Sequence, residues 1–169
     1  MTPKEFVKEY LPYAQASEKK TGIAAAFTLG QAALESGWGR RAPRYNFFGV
    51  KARKDTPMSN KQLLITSEVL SKAGVSFPQV ISVTKRASDG KYVYKVKDWF
   101  MAYANATEAF DDHGDFFYRN KRYAEALKHK DDPYRFAEEI AKAGYATGTE
   151  YAKQLKGVIA NVQCIMDNL

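Results

Sequence analysis

Apolar positions along the first third of the chain recur with helical spacing. Thr2-Pro3-Lys4-Glu5 places a capping threonine, a proline at the first helical position and a glutamate three residues after the cap, the arrangement that satisfies the free N–H groups of a helix start. Phe6, Val7 and Tyr10 give this helix its inward side. Pro12 starts or kinks a second helical stretch running to about Lys20, where Thr21-Gly22 is a stop signal. From Ile23 to Ser36 the run "IAAAFTLGQAALES" is almost entirely small or apolar, which predicts a central helix covered on most sides, with Gly37 as its C-cap. The pattern then changes period. Lys61 to Leu70, Gln79 to Arg86 and Lys91 to Lys97 are rich in β-branched and aromatic residues and partly alternate, and Ser88-Asp89-Gly90 makes a tight turn between the last two. These predict a small antiparallel sheet. Helical signals return at Asn105-Ala106-Thr107-Glu108, a capping box, and at Asp132-Pro133, which opens a helix ending at Gly144. A last helix from about Thr149 buries Tyr151, Leu155, Val158, Ile159, Val162 and Ile165. The fold class is therefore α+β, mainly α: one domain over residues 1–169, with a β-lobe at about residues 55–100 inserted in a helical body.

Composition narrows the class. The 169 residues are 45% hydrophobic and 27% charged, enough for one real core and typical of an ordinary globular domain. The net charge of +7 points to an anionic partner: nucleic acid, an acidic membrane surface or a cell-wall polymer. No helix-turn-helix, zinc-finger or ribonucleoprotein pattern accompanies the charge, so nucleic acid has no other support. The single cysteine, Cys164, excludes an internal disulfide and is read as a core residue. With only two distant histidines beside it there is no zinc-ligand pattern. His113 and His129 are read as surface or supporting residues, Asp89 and Asp98 as turn and strand-end residues. No stretch approaches about 18 apolar residues and no basic-then-apolar leader opens the chain, so membrane insertion is not expected.

One stretch asks for chemistry. In "AALESGWG" the carboxylate of Glu35 stands in the last turn of the small-residue helix, straight before a Gly-Trp-Gly break. Helix C-termini carry partial negative charge, so an acid there is electrostatically disfavoured. Burial adds to the effect, and both favour the neutral carboxyl. Glycoside hydrolysis calls for such a group, a carboxylic acid held protonated to donate to the leaving oxygen, often with a second carboxylate across a cleft. A helical body facing a β-lobe would supply the cleft. The competing reading pairs Glu35 with Arg40, Arg41 or Arg44 in a surface ion pair.

"LGQAALESGWG" followed by "NFFGVKA" resembles the central signature of the peptidoglycan endo-β-N-acetylglucosaminidase family, which includes flagellar rod-cap domains, autolysins and phage lysins. The likeness continues through "DWFMAYANATEAFDDHGDFFYRNKRYAEAL" and "AKAGYATGTEYAKQL" and covers about Phe6 to Leu155. It implies a lysozyme-like fold. It places Glu35 on the family's catalytic acid, matches Asn46, Phe48 and Gly49 to an Asn-x-Phe-Gly turn, and sets Tyr145 beside the acid. Thr66-Ser67-Glu68 fits the family's Thr-x-Glu on the first β-lobe strand, making Glu68 the second carboxylate and "LSKAGVSFPQV" an enlargement of the lobe. A rival alignment uses Thr84-Lys85-Arg86, which would replace the acid by arginine. Trp38 is either a sugar platform or a packing anchor.

The resemblance implies hydrolysis of the β-1,4 bond after N-acetylglucosamine in peptidoglycan glycan strands, in the cell wall or periplasm, by a monomer with no metal or organic cofactor. Water activated by Glu68 would invert the anomeric centre, whereas attack by the substrate's own acetamido group would retain it. A lysozyme or lytic transglycosylase acting on the same polymer, and a glycan-binding module that has lost turnover, are the alternatives.

Overall fold

The computed structural model describes residues 1–169. Its contacts separate into two units: a helical one of residues 1–48 and 103–169, and one of residues 49–102 that carries the sheet.

In the helical unit, α1 (Pro3–Thr21) begins with the expected capping box, in which Thr2 accepts from the Glu5 N–H and Glu5 accepts from the Thr2 N–H. It ends at Gly22, whose φ of 76° lies in the left-handed region. α1 does not break at Pro12. Pro12 and Lys8, whose carbonyl loses its helical partner, both lie on the exposed side, where water can take the place of the missing bond. α2 (Ala25–Ser36) is buried at most of its positions and packs against α1, α4 (Pro133–Lys142) and α5 (Tyr151–Asp167). Gly30 permits a close approach to α5: a Cβ there would stand 2.5 Å from Ile159 Cγ1. α3 (Ala106–Arg119), capped by the Asn105 side chain, packs on α1. Two short 3-10 turns over residues 121–129 join it to α4, whose N-cap Asp132 accepts from the Tyr134 and Arg135 N–H groups. Phe27, Phe117, Phe136, Ile140, Leu155 and Ile159 form the centre of the core.

α5 buries Leu155, Ile159 and Val162, leaving Val158 and Ile165 half-covered. Cys164 is exposed, not a core residue. It stands two positions past Val162, about 200° around the helix and so on its outward face.

The second unit is a three-stranded antiparallel sheet in the order β1 (Lys61–Leu70), β3 (Tyr92–Met101), β2 (Gln79–Lys85). β3 runs four residues beyond its expected end because Asp98 to Met101 pair with Leu64 to Lys61. Alternate residues of β1 are half-covered and exposed, as expected of a sheet with one face toward water. The residues between β1 and β2 are anchored by the Tyr94 hydroxyl, which donates to the Lys72 carbonyl and accepts from the Val75 N–H. Ser88-Asp89-Gly90 lies in the β2–β3 turn, closed by Arg86, whose guanidinium binds both oxygens of Asp89.

Candidate active site

The end of α2 sets the geometry around Glu35. Three residues in succession, Gly37, Trp38 and Gly39, adopt left-handed backbone with φ of 60°, 59° and 81°. Glycine accepts this freely, while for tryptophan it costs about 1–2 kcal/mol. The buried Ser36 hydroxyl compensates by donating to the Ala32 carbonyl at 2.5 Å and accepting from the Gly39 N–H at 2.8 Å. Trp38 meets Phe6 edge-on, with ring centroids 5.8 Å apart.

Glu35 itself is half-buried. No arginine pairs with it; its hydrogen bond is from the Tyr151 hydroxyl on α5, which donates to Oε1 at 2.9 Å. Burial pushes its carboxyl above the ordinary glutamate range, and the Tyr151 bond pulls partly the other way. Such a group keeps a proton to higher pH than a surface glutamate.

Tyr151 leads into a buried chain of polar groups. The Gln31 Nε2 donates to the Tyr151 oxygen at 2.8 Å, and the Gln31 Oε1 lies 2.5 Å from His113 Nε2. Gln31 precedes Glu35 by four residues on α2, so both sit on one side of the helix. Gln31 is 0% and His113 3% exposed, so His113 is a supporting residue and not a surface one. Burial lowers its imidazole to about 3, with the neighbouring Asp112 opposing the shift. Tyr145 stacks on Tyr151 with centroids 5.5 Å apart. Its hydroxyl is pushed up first by burial and then by the charge of Glu35.

Asn46 is 3% and Phe48 6% exposed. The Phe48 ring lies flat on the His113 imidazole, centroids 3.7 Å apart. In the sheet-bearing unit, Glu68 of β1 is bound by the Lys51 ammonium, which also reaches Asp98 Oδ2 of β3 at 3.3 Å. Asp98 thus does more than end a strand. Arg86, the rival alignment's residue, is committed to Asp89 in the hairpin turn. No cluster of three or more His, Cys, Asp or Glu side chains is arranged to hold a metal ion.

Tyr151 and Gln31 are not marked as site residues by the sequence, and His113 is marked only as a surface or supporting residue. The one local signal is the four-residue spacing of Gln31 and Glu35; the three other links join residues 82, 116 and 120 positions apart.

A mainly helical α+β fold with a half-buried carboxyl, held above the ordinary glutamate range, at the end of its central helix defines a lysozyme-like glycoside hydrolase domain. Residues 11–163 match the Glucosaminidase family, described as mannosyl-glycoprotein endo-β-N-acetylglucosaminidase, and the chain belongs to that family. It is similar to the peptidoglycan hydrolase FlgJ of Pseudomonas aeruginosa, with 29% identity over 166 residues covering 94% of this chain and 36% of that protein. The chain spans half or less of the length of the FlgJ relatives it matches. Among solved structures it resembles a peptidoglycan hydrolase mutant from Sphingomonas sp. A1, with a TM-score of 0.72, 27% identity and coverage of 98% of this chain and 99% of the other. The glycoside hydrolase domain of Salmonella typhimurium FlgJ superposes with a TM-score of 0.69 at 29% identity, covering 99% and 92%. No helix is long and apolar enough to cross a membrane.

Proposed function

We propose that this chain is a peptidoglycan hydrolase cleaving the β-1,4 bond after N-acetylglucosamine, with Glu35 as general acid. The observation that carries the reading is the half-buried carboxyl at the end of α2, held above the usual glutamate range and in hydrogen-bond contact with Tyr151. Family membership and the FlgJ likeness supply the substrate class. Glu68 is the second carboxylate of this reading. Trp38, Asn46, Phe48 and Tyr145 are the substrate-binding residues of this reading. Residues 1–169 act as one glucosaminidase domain with its β-lobe at about residues 55–100. It works as a monomer without cofactor in the cell wall or periplasm, with no nucleic acid or membrane insertion involved.

The second step is read from the product: retention of anomeric configuration assigns attack by the substrate's own acetamido group with Glu68 in support, and inversion assigns water activated by Glu68.

Mass spectrometry of digested peptidoglycan tests the reading. N-acetylglucosamine at the new reducing ends is expected, and Glu35→Gln with an intact fold is expected to lower turnover at least a hundredfold. N-acetylmuramic acid ends would make the enzyme a lysozyme, and anhydro ends a transglycosylase. Binding to the polymer without new ends would leave only a glycan-binding module.

A further inference from the structure

The buried chain His113–Gln31–Tyr151–Glu35 has a direction, and the direction bears on the acid step. The Gln31 amide donates through Nε2 to Tyr151, so its Oε1, which can only accept, faces His113. His113 must therefore carry its proton on Nε2. The other ring nitrogen, Nδ1, is buried with no hydrogen-bond partner, and the imidazole as a whole stacks with Phe48 and Phe27 and meets Phe117 edge-on. A bare lone pair is tolerated there more readily than an orphaned N–H. Turning the amide round would require the proton on Nδ1 and create that orphan. The buried, partnerless Nδ1 thus selects the tautomer, the tautomer selects the amide orientation, and the amide leaves the Tyr151 proton no acceptor but Glu35 Oε1.

We propose that His113 and Gln31 are positioning residues for the acid step: they commit the Tyr151 proton to Glu35 Oε1, so that Oε2 is the oxygen that carries the transferable proton. This rests on Glu35 being the general acid. In the step, the proton leaves Oε2 for the glycosidic oxygen as the C–O bond breaks and its electron pair stays on that oxygen. The resulting carboxylate keeps the Tyr151 hydrogen bond, a charge-assisted one that strengthens as the negative charge forms.

The test is a double-mutant cycle on the intact chain, followed through kcat, KM and the pH profile on purified peptidoglycan. His113→Phe keeps a flat ring against Phe48 and removes the donor. It is expected to lower kcat about tenfold with KM nearly unchanged. The alkaline limb should move upward by about one pH unit, because the ionised acid loses its committed donor. Within the helical unit the titratable groups facing Glu35 are Tyr145 and Tyr151, both held above their ordinary range, and His113 faces Asp112. Tyr151→Phe should give the same fall and the same displaced limb, and combining it with His113→Phe should cost nothing further. His113→Gln, which restores an N–H donor, should recover much of the rate. If His113→Phe does not fold, Gln31→Met cuts the same chain and has the same expected profile. Wild-type kcat and pH limb in a folded His113→Phe or Gln31→Met protein, or losses that add in the double variant, would overturn the proposal. An active Glu35→Gln protein would overturn both this inference and the acid assignment beneath it, whereas an inactive one beside an unaltered His113→Phe protein would overturn the positioning role alone.

Discussion

Glu35 sits where its ionised form lowers stability. Its folded-state pKa is raised above the unfolded value, mainly by burial. The unfolded chain therefore gives up this proton at a lower pH than the folded one, and stability falls as pH rises through that window. Glu35→Gln is expected to raise the melting temperature at neutral pH, with the advantage shrinking to nothing below the ordinary glutamate range; thermal melts across pH measure it. A gain persisting undiminished at pH 3 would mean that packing, not ionisation, limits stability here. Activity should show the opposite face of the same shift, with the acid remaining protonated beyond the range of a surface glutamate and the rate falling as pH passes its raised value. Glu35 was legible in sequence because its oddity is local: an acid at the wrong end of a small-residue helix, next to a Gly-Trp-Gly break. The groups that govern it were not. Tyr151 read as one more apolar-face residue of the last helix, and nothing in the neighbourhood of His113 marks it as buried against Phe48. Both assignments depend on which distant segments meet.

At the level of elements, local chemistry announced most of the outline. The Thr2–Glu5 capping box, the Gly22 and Gly37 terminations, the Asp132 cap and the three strands all follow from short-range rules. Departures occur where tertiary context outweighs them. Pro12 is accommodated because its defect faces water, and β3 gains four residues because β1 offers partners for them. Cys164 is exposed because it falls on the outward face of α5, a position its residue type alone does not reveal. The packing of α2 on α5 carries a further consequence. With Ile159 Cγ1 only 2.5 Å from where a Gly30 Cβ would stand, Gly30→Ala must push the two helices apart or displace that side chain. Overpacking of this kind costs about 1–3 kcal/mol, more than the helix-propensity gain of alanine returns. Denaturant melts should show the loss. Since Tyr151 and Glu35 stand on these same two helices, the catalytic rate is expected to fall as well, and a variant as stable and active as the parent would show that α5 slides freely.

For the molecule as a whole, the sheet-bearing unit is one uninterrupted insertion, residues 49–102, and the two places where the chain leaves and rejoins the helical unit are close: the Tyr103 N–H donates to the Arg44 carbonyl at 3.0 Å. The buried cluster around Phe27, Phe117 and Phe136 draws only on the helical unit. Replacing residues 49–102 with a short Gly-Ser loop is therefore expected to leave a helical protein with a cooperative melt, checked by circular dichroism, and, on the role proposed for Glu68, to abolish hydrolysis. An unfolded product would place part of the essential core in the insertion. The net charge of +7 suits an anionic wall polymer, and the attraction should weaken with added salt.

The lone sulfhydryl on the outer side of α5 is a ready attachment point. Thirteen residues of helix place it roughly 20 Å along the axis from Tyr151, far enough that a fluorophore or spin probe coupled there by maleimide leaves the reacting end untouched. The same accessibility lets two molecules cross-link through oxidised sulfur, so a covalent pair on a non-reducing gel would report storage in air and not a native assembly.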